Sequence, residues 1–350
     1  MKRLISIAVS LAILSIVWAM LDRGAIWAAL KQTDPGLLAL SLLWLVGLVG
    51  ISALRLIALA RVTDFFLPPR RALEATFVAN TLNMVLPGKL GDLLKAASMA
   101  GAGAGEMPAA LSLGAWEKLM DLVMLFVVAA LASGFLGCAP VLTAFLALAG
   151  GAGLAVALVP GAIAFLAARM GVRGVKFADA WGAMVRRLRA RPGGLATVVG
   201  MTALLWAGHL VQIAMMMTAL GVSGDAGFWG QVLAMIPIAI VAGLVPLTFA
   251  GVGTRDAAIV TLFGGTIGGE TAAALGVLFW LRYLVPGLLG LPLVPRYAGQ
   301  IRAHLRARRV DAVAFGIDPA AAGNLPAGAR GDGVASAARG ADGPLGDHRG

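Results

Sequence analysis

Asn83–Met99 reads NMVLPGKLGDLLKAASM. This stretch places a proline, two glycines, two lysines and an aspartate inside sequence otherwise apolar enough to lie in a bilayer. A membrane-crossing helix satisfies its own backbone hydrogen bonds, so a break is tolerated only where protein buries it or a wet cavity receives it. Pro87 has no N–H to give, and Gly88 and Gly91 take conformations closed to other residues. LPGKLGD therefore reads as a turn between two half-helices. The second begins near Gly91, with Asp92 in its first turn as a capping residue. Its free N–H groups and positive dipole end, with Lys89 and Lys95 close by, suit a phosphate or another anionic head group.

The rest of the chain supports a membrane setting. Of 350 residues, 60% are hydrophobic and 13% charged, with mean hydropathy +0.90; a soluble domain carries about 25% charged residues. Apolar runs at 4–21, 37–60, 108–134, 142–168, 195–220 and 271–294 are each long enough to cross roughly 30 Å of hydrocarbon. The regions 72–104 and 229–268 are interrupted by Gly/Pro stretches and read as pairs of short helices. The predicted fold is all-α: a polytopic helical membrane protein with about six full spans and two re-entrant or broken hairpins. The MKRLISIAVSLAILSIVWAM start has the basic end of a signal peptide, but without a convincing cleavage site it reads as a retained first helix.

The net charge of +11 follows the positive-inside rule rather than nucleic-acid binding. Lys2 and Arg3, then Arg61, Arg70 and Arg71, the run Arg169–Arg191, and Arg296–Arg309 mark one face as cytoplasmic and put both termini there. Within the basic loop, Phe177, Trp181, Met184 and Leu188 form a helical stripe. It fits either an interfacial helix on the anionic leaflet or a connecting helix packed on its own bundle. A membrane domain is expected over 1–310. The Gly/Ala-rich 311–350 reads as a disordered cytoplasmic tail. One cysteine, Cys138, excludes a disulfide framework, and His209, His304 and His348 are too scattered for a metal motif, so neither metal nor cofactor is expected.

The second broken region repeats the device. PLTFAGVGTRD (246–256) carries Gly251 and Gly253, then Arg255 and Asp256. The charge pattern puts this hairpin on the opposite side from the first. Corresponding broken segments of opposite orientation are the mark of an inverted repeat with a site near the midplane. Between them, Glu117 and Asp121 stand one turn apart on one helix face. At the bilayer centre each charge costs about 2.5–3.5 kcal/mol or more, so both should face the bundle interior. They would grip a cationic group, carry a proton, or pair with Arg55, Arg255 or Arg282; an ion pair that only holds helices together is the plainer alternative. His209 and Gln212 read as interhelical hydrogen-bonders.

Asn83 with LPGKLGD, EKLMD (117–121) and PLTFAGVGTRD, in this order, resemble the membrane region of lysylphosphatidylglycerol synthases and the related stand-alone flippase-like integral membrane proteins. The likeness covers roughly residues 1–300, with Asp256 a departure where Glu is more usual. The resemblance implies lipid handling: moving an aminoacylated, glycosylated or isoprenoid lipid between leaflets or towards export. The synthase chemistry belongs to a separate soluble domain that the tail here cannot form. Hopanoid-associated members give a weak hint of source.

The resulting expectation is an inner-membrane lipid transporter, not an enzyme. Its substrate-binding residues would be Asn83, Lys89, Gly91, Asp92, Glu117, Asp121, Gly251, Gly253, Arg255 and Asp256. The expected partners are a membrane lipid as substrate, then lipid-biosynthetic enzymes or a second copy of the chain, and no nucleic acid. The chain has no G-x-x-x-x-G-K-[ST] loop, so an ATP-driven step would need a partner. A non-transporting scaffold and a membrane-embedded enzyme using Glu117 and Asp121 as acid and base are the competing readings.

Overall fold

Prolines and aspartates set the starts of the long helices. Asp34 accepts from the Gly36 and Leu37 amides at 2.7 and 3.0 Å while Pro35 occupies the first helical position, where its missing N–H costs nothing. Asp225 caps Phe228 in the same way at 2.8 Å. The computed structural model describes residues 23–85, 91–100, 106–137, 140–169, 171–244 and 253–297. Over these, the helices are α1 (Arg23–Lys31), α2 (Pro35–Val62), α3 (Pro69–Val85), α4 (Gly91–Leu94), α5 (Ala96–Met99), α6 (Glu106–Phe135), α7 (Pro140–Leu158), α8 (Ala164–Ala168), α9 (Gly171–Ala190), α10 (Pro192–Ala219), α11 (Ala226–Ala242), α12 (Thr254–Ile267) and α13 (Gly269–Gly290). All regular structure among the described residues is helical.

Five described helices are long and apolar enough to cross a membrane: α2, α6 from Met107, α7, α10, and α13 continued to Tyr297. The chain is a polytopic all-α membrane protein. The first predicted span, 4–21, the tail beyond 311, and both Lys89 and Gly251 lie outside the described residues. The run expected over 142–168 is shorter than expected: α7 stops at Leu158, and a turn through Pro160 and Gly161 separates it from α8. The interrupted regions form short helices, as expected. At 17 residues, α3 and α11 extend only about 25 Å, less than the hydrocarbon thickness.

The helices pair in an exchanged pattern. α2 lies along α10, α3 packs on α13, and α11 packs on α6. Each broken hairpin therefore rests on the long helix that follows the other hairpin. Trp44 donates to the Gly208 carbonyl at 3.0 Å, and Gln212 donates to the Ser41 carbonyl at 2.9 Å. Both bonds tie α2 to α10. Apolar side chains face outward, among them Leu43, Leu131, Phe135, Phe145 and Leu148, as lipid contact requires.

Two large apolar clusters and a small third of Leu45, Leu48 and Leu205 build the interior. The first gathers Leu56, Leu59, Leu113, Trp116 and Met120, and the second Leu125, Trp206, Ile213, Ile236, Leu275 and Phe279. Of the two readings of α9, the packed one holds: Trp181, Met184 and Leu188 are buried in the first cluster, leaving Arg186, Arg187 and Arg189 exposed. Arg191 grips Asp64 with two N–H groups at 2.7 and 3.0 Å and donates to the Val62 carbonyl at 2.7 Å. It thereby closes the C-terminus of α2. This hydrogen bond holds the Asp64 carboxyl below the usual carboxylate range.

Small residues set how closely α3 and α13 approach. Thr81 donates to the Gly287 carbonyl at 2.7 Å, and a Cβ on Gly290 would sit 2.3 Å from the Phe77 carbonyl oxygen. Backbone cannot yield as a side-chain tip can. Gly290→Ala is expected to push the two helices apart and cost about 1–3 kcal/mol. Gly50→Ala, with open space at its Cβ position, is expected to cost nothing. Thermal unfolding of the two variants in detergent checks the contrast.

Candidate functional site

Glu117 stands eleven residues into α6, so about 16 Å of helix precede it, roughly half a bilayer core. Glu117 and Asp121 thus lie in the middle of the 30-residue α6 rather than at its end. Glu117 and Asp121 are 3% and 9% exposed and share Arg55 of α2. Arg55 Nη2 donates to Glu117 at 2.6 Å, and Nη1 donates to Asp121 at 2.5 Å. Of the partners considered from sequence, Arg55 is the one found. Glu117 also takes Lys95, and Asp121 takes the indole N–H of Trp206 at 3.1 Å.

The first hairpin joins this network through Asp92. Its carboxylate accepts from Asn83 at 3.0 Å and from Lys118 at 2.7 Å, and Lys118 lies 3.8 Å from Asp121. Gly91 makes the approach possible: a Cβ there would meet the Ala79 carbonyl oxygen at 2.6 Å and the Asn83 amide at 2.7 Å. Helix begins again at Gly91 as expected. However, α4 and α5 are single turns on either side of Lys95, with too few aligned peptides for the expected dipole. Lys95 itself is tied to a carboxylate.

These residues line a cavity of about 120 Å³, whose apolar wall includes Leu45, Leu48, Leu205, Trp206 and Ile240. Around it stand Arg55, Asn83, Asp92, Lys95, Glu117, Lys118 and Asp121 from the first half of the chain. Trp206, His209, Ile240, Arg282, Tyr283 and Pro286 come from the second. Pro237 and Pro286 lie inside their helices. The missing N–H of Pro286 frees the carbonyl of Arg282, one turn earlier, where α13 faces the cavity.

The second motif lies elsewhere. Gly253 has φ +98, and its N–H donates to Asp256 at 3.1 Å. Arg255 binds the same carboxylate at 2.7 and 3.0 Å and lies over the rings of Phe279 and Tyr283. A Cβ on Gly243 would come within 2.9 Å of Arg255 Cβ, and one on Gly276 within 3.2 Å of Asp256. Arg255 and Asp256 thus pin the start of α12 between α11 and α13. They sit one side chain removed from the cavity.

Sequence reading left Lys118, Trp206 and Arg282 out of the site. Lys118 had a signal, being three residues before Asp121 on the same helix. His209 joins two helices, as expected, through Arg282 Nη2 at 2.7 Å, and it also lines the cavity. Gln212 keeps to its interhelical role. Among the described residues no group of three or more His, Cys, Asp or Glu side chains is arranged to hold a metal ion.

In comparison with known proteins, the family model described as the lysylphosphatidylglycerol synthase TM region matches residues 3–290. No curated protein matches the chain significantly.

Removing one partner of a buried ion pair strands the other and costs about 3–5 kcal/mol. Lys95→Met and Glu117→Gln are each expected to destabilise by about that amount. The double variant is expected to lose less than the sum, because its charges again balance. Unfolding of the three variants in detergent measures the coupling.

Proposed function

Because the chain belongs to the lysylphosphatidylglycerol synthase TM region family, whose membrane proteins are involved in lipid handling, we propose that it is a flippase-like lipid transporter. Its cargo in this reading is a modified or anionic phospho- or isoprenoid lipid. It lies in the bacterial cytoplasmic membrane with both termini inside, and no catalytic chemistry is assigned to it. The observation that carries the reading is the cavity. It is polar, charged and buried at mid-helix depth, and both halves of the chain build its wall. A closed apolar bundle has no use for such a space, whereas a head group crossing the membrane requires one.

The exchanged packing supports a mechanism. Each hairpin rests on a helix of the other half, so the halves can rock against each other and expose the cavity first to one leaflet and then to the other. The paired charges of the first half would exchange partners with the head group during that motion.

A non-transporting scaffold is the second reading. It is favoured by one observation: Arg55, Lys95 and Lys118 balance Asp92, Glu117 and Asp121, as a purely structural cluster would.

The test is reconstitution of purified protein into liposomes with a panel of fluorescent lipids, followed by a quencher restricted to one leaflet. Wild type is expected to move one lipid class. Glu117→Gln and Lys89→Ala are expected to slow it about tenfold or more, while Arg255→Ala acts through stability of the hairpin. Movement of no class by folded wild-type protein would favour the scaffold.

A further inference from the structure

Arg282 is 4% exposed and lines the cavity. The other lining cations each have a carboxylate: Arg55 has Glu117 and Asp121, Lys95 has Glu117, and Lys118 has Asp92. No carboxylate among the described residues lies within salt-bridge distance of Arg282. Its Nη2 meets His209 Nδ1 at 2.7 Å. Guanidinium can only donate, so His209 accepts there and is neutral. The rings of Phe279 and Tyr283 lie 5.2 and 5.6 Å from the guanidinium and shelter it without cancelling its charge. Among the described residues Arg282 Nη1 has no acceptor, and Arg55 Nε, on another residue lining the same cavity, has none either.

Among the described residues, four cations thus face three carboxylates around the cavity, and the excess sits on a side chain with an unfilled donor. A buried charge left in this state is strongly unfavourable, and a buried donor without an acceptor adds to it. A singly charged oxyanion cancels both. We propose that Arg282, oriented by His209, is the recognition residue for the phosphodiester group of a membrane phospholipid. Charge number selects the phosphodiester: one negative charge completes the cavity, whereas a phosphomonoester brings close to two. A lipid is the source in this proposal because helices long enough to span a membrane build the cavity wall. The proposal rests on the transport reading only in taking the cavity as the place of the head group.

The test uses full-length protein in an uncharged detergent and reads thermal unfolding as each probe is added. The probes are short-chain phosphatidylglycerol, short-chain phosphatidic acid, the matching uncharged diacylglycerol, and inorganic phosphate. Phosphatidylglycerol is expected to raise the wild-type midpoint, because a ligand bound only by the folded state stabilises it, and diacylglycerol is expected to leave it unmoved. Arg282→Met is expected to unfold at a higher temperature than wild type without lipid, since it removes an uncompensated charge, and to lose the phosphatidylglycerol effect. Arg282→Lys keeps the charge without the planar fork and is expected to need about tenfold more lipid for the same shift.

A phosphatidylglycerol shift equal in wild type and Arg282→Met would overturn the assignment, as would no shift in wild type. A larger shift with phosphatidic acid would overturn the charge matching, and an equal one with inorganic phosphate would overturn the lipid source. Lipid movement in liposomes is scored separately. Stabilisation without movement sinks the transport reading alone, and movement without Arg282-dependent stabilisation sinks this inference alone.

Discussion

The two-carboxylate grip on Arg55 is the constraint around which the bundle is arranged. An ionised group at the bilayer centre is tolerable only when paired and hydrogen-bonded. Arg55 of α2 reaches Glu117 and Asp121 of α6, and Trp206 of α10 reaches the same Asp121. Three membrane helices are therefore held at one depth and one rotation. Aliphatic packing alone is a weak guide to register in lipid, because the lipid offers equivalent contacts to any apolar face. Directional, charge-assisted bonds have no such equivalent.

The first hairpin is fixed by the same network and is not a separate device. Lys95 and Asp92 bring α4 and α5 onto α6, and Gly91 lets their backbone lie against α3 at a distance no other residue permits. On the far side, Gly287 and Gly290 let α3 lie equally close to α13. The short helices on either side of the break are thus covered by protein, as membrane depth requires. The second hairpin is held differently. Arg255 and Asp256 neutralise each other within two consecutive residues, so among the described residues this hairpin makes no ion pair to another helix and reaches α13 only through the rings of Phe279 and Tyr283.

The all-α architecture, the long spans and both interrupted regions were legible in the sequence because hydropathy and Gly/Pro placement act locally. The pairing of Glu117 and Asp121 with a basic residue was legible too, since the cost of burying a charge applies wherever the fold puts it. Which arginine supplies the partner was not legible: Arg55, Arg255 and Arg282 are equivalent until helix contacts are known. An anion site at Gly91 requires a continuous half-helix, and the turn at Lys95 divides this one into pieces too short to carry that dipole. The stripe on α9 was read correctly as a stripe. Its destination depended on Leu56 and Trp116, which are remote in sequence.

The two halves of the cavity wall differ in a way that bears on transport. The wall carries Arg55 beside two carboxylates in the first half, and His209 beside Arg282 in the second. Among the described residues the first wall is balanced by its own ion pairs. The second wall is not, so in the proposed reading its lowest-energy arrangement depends on what occupies the space. A ligand shifts a conformational equilibrium only by as much as its affinity differs between the states. Under the proposed function, an anion bound at Arg282 supplies such a difference: it lowers the cost of enclosing the second wall while leaving the first nearly unchanged. Two balanced walls would hold the halves together and give a head group little hold on them. Two unbalanced walls would destabilise the empty protein. In the proposed transporter, one of each would allow a stable bundle whose closure responds to cargo.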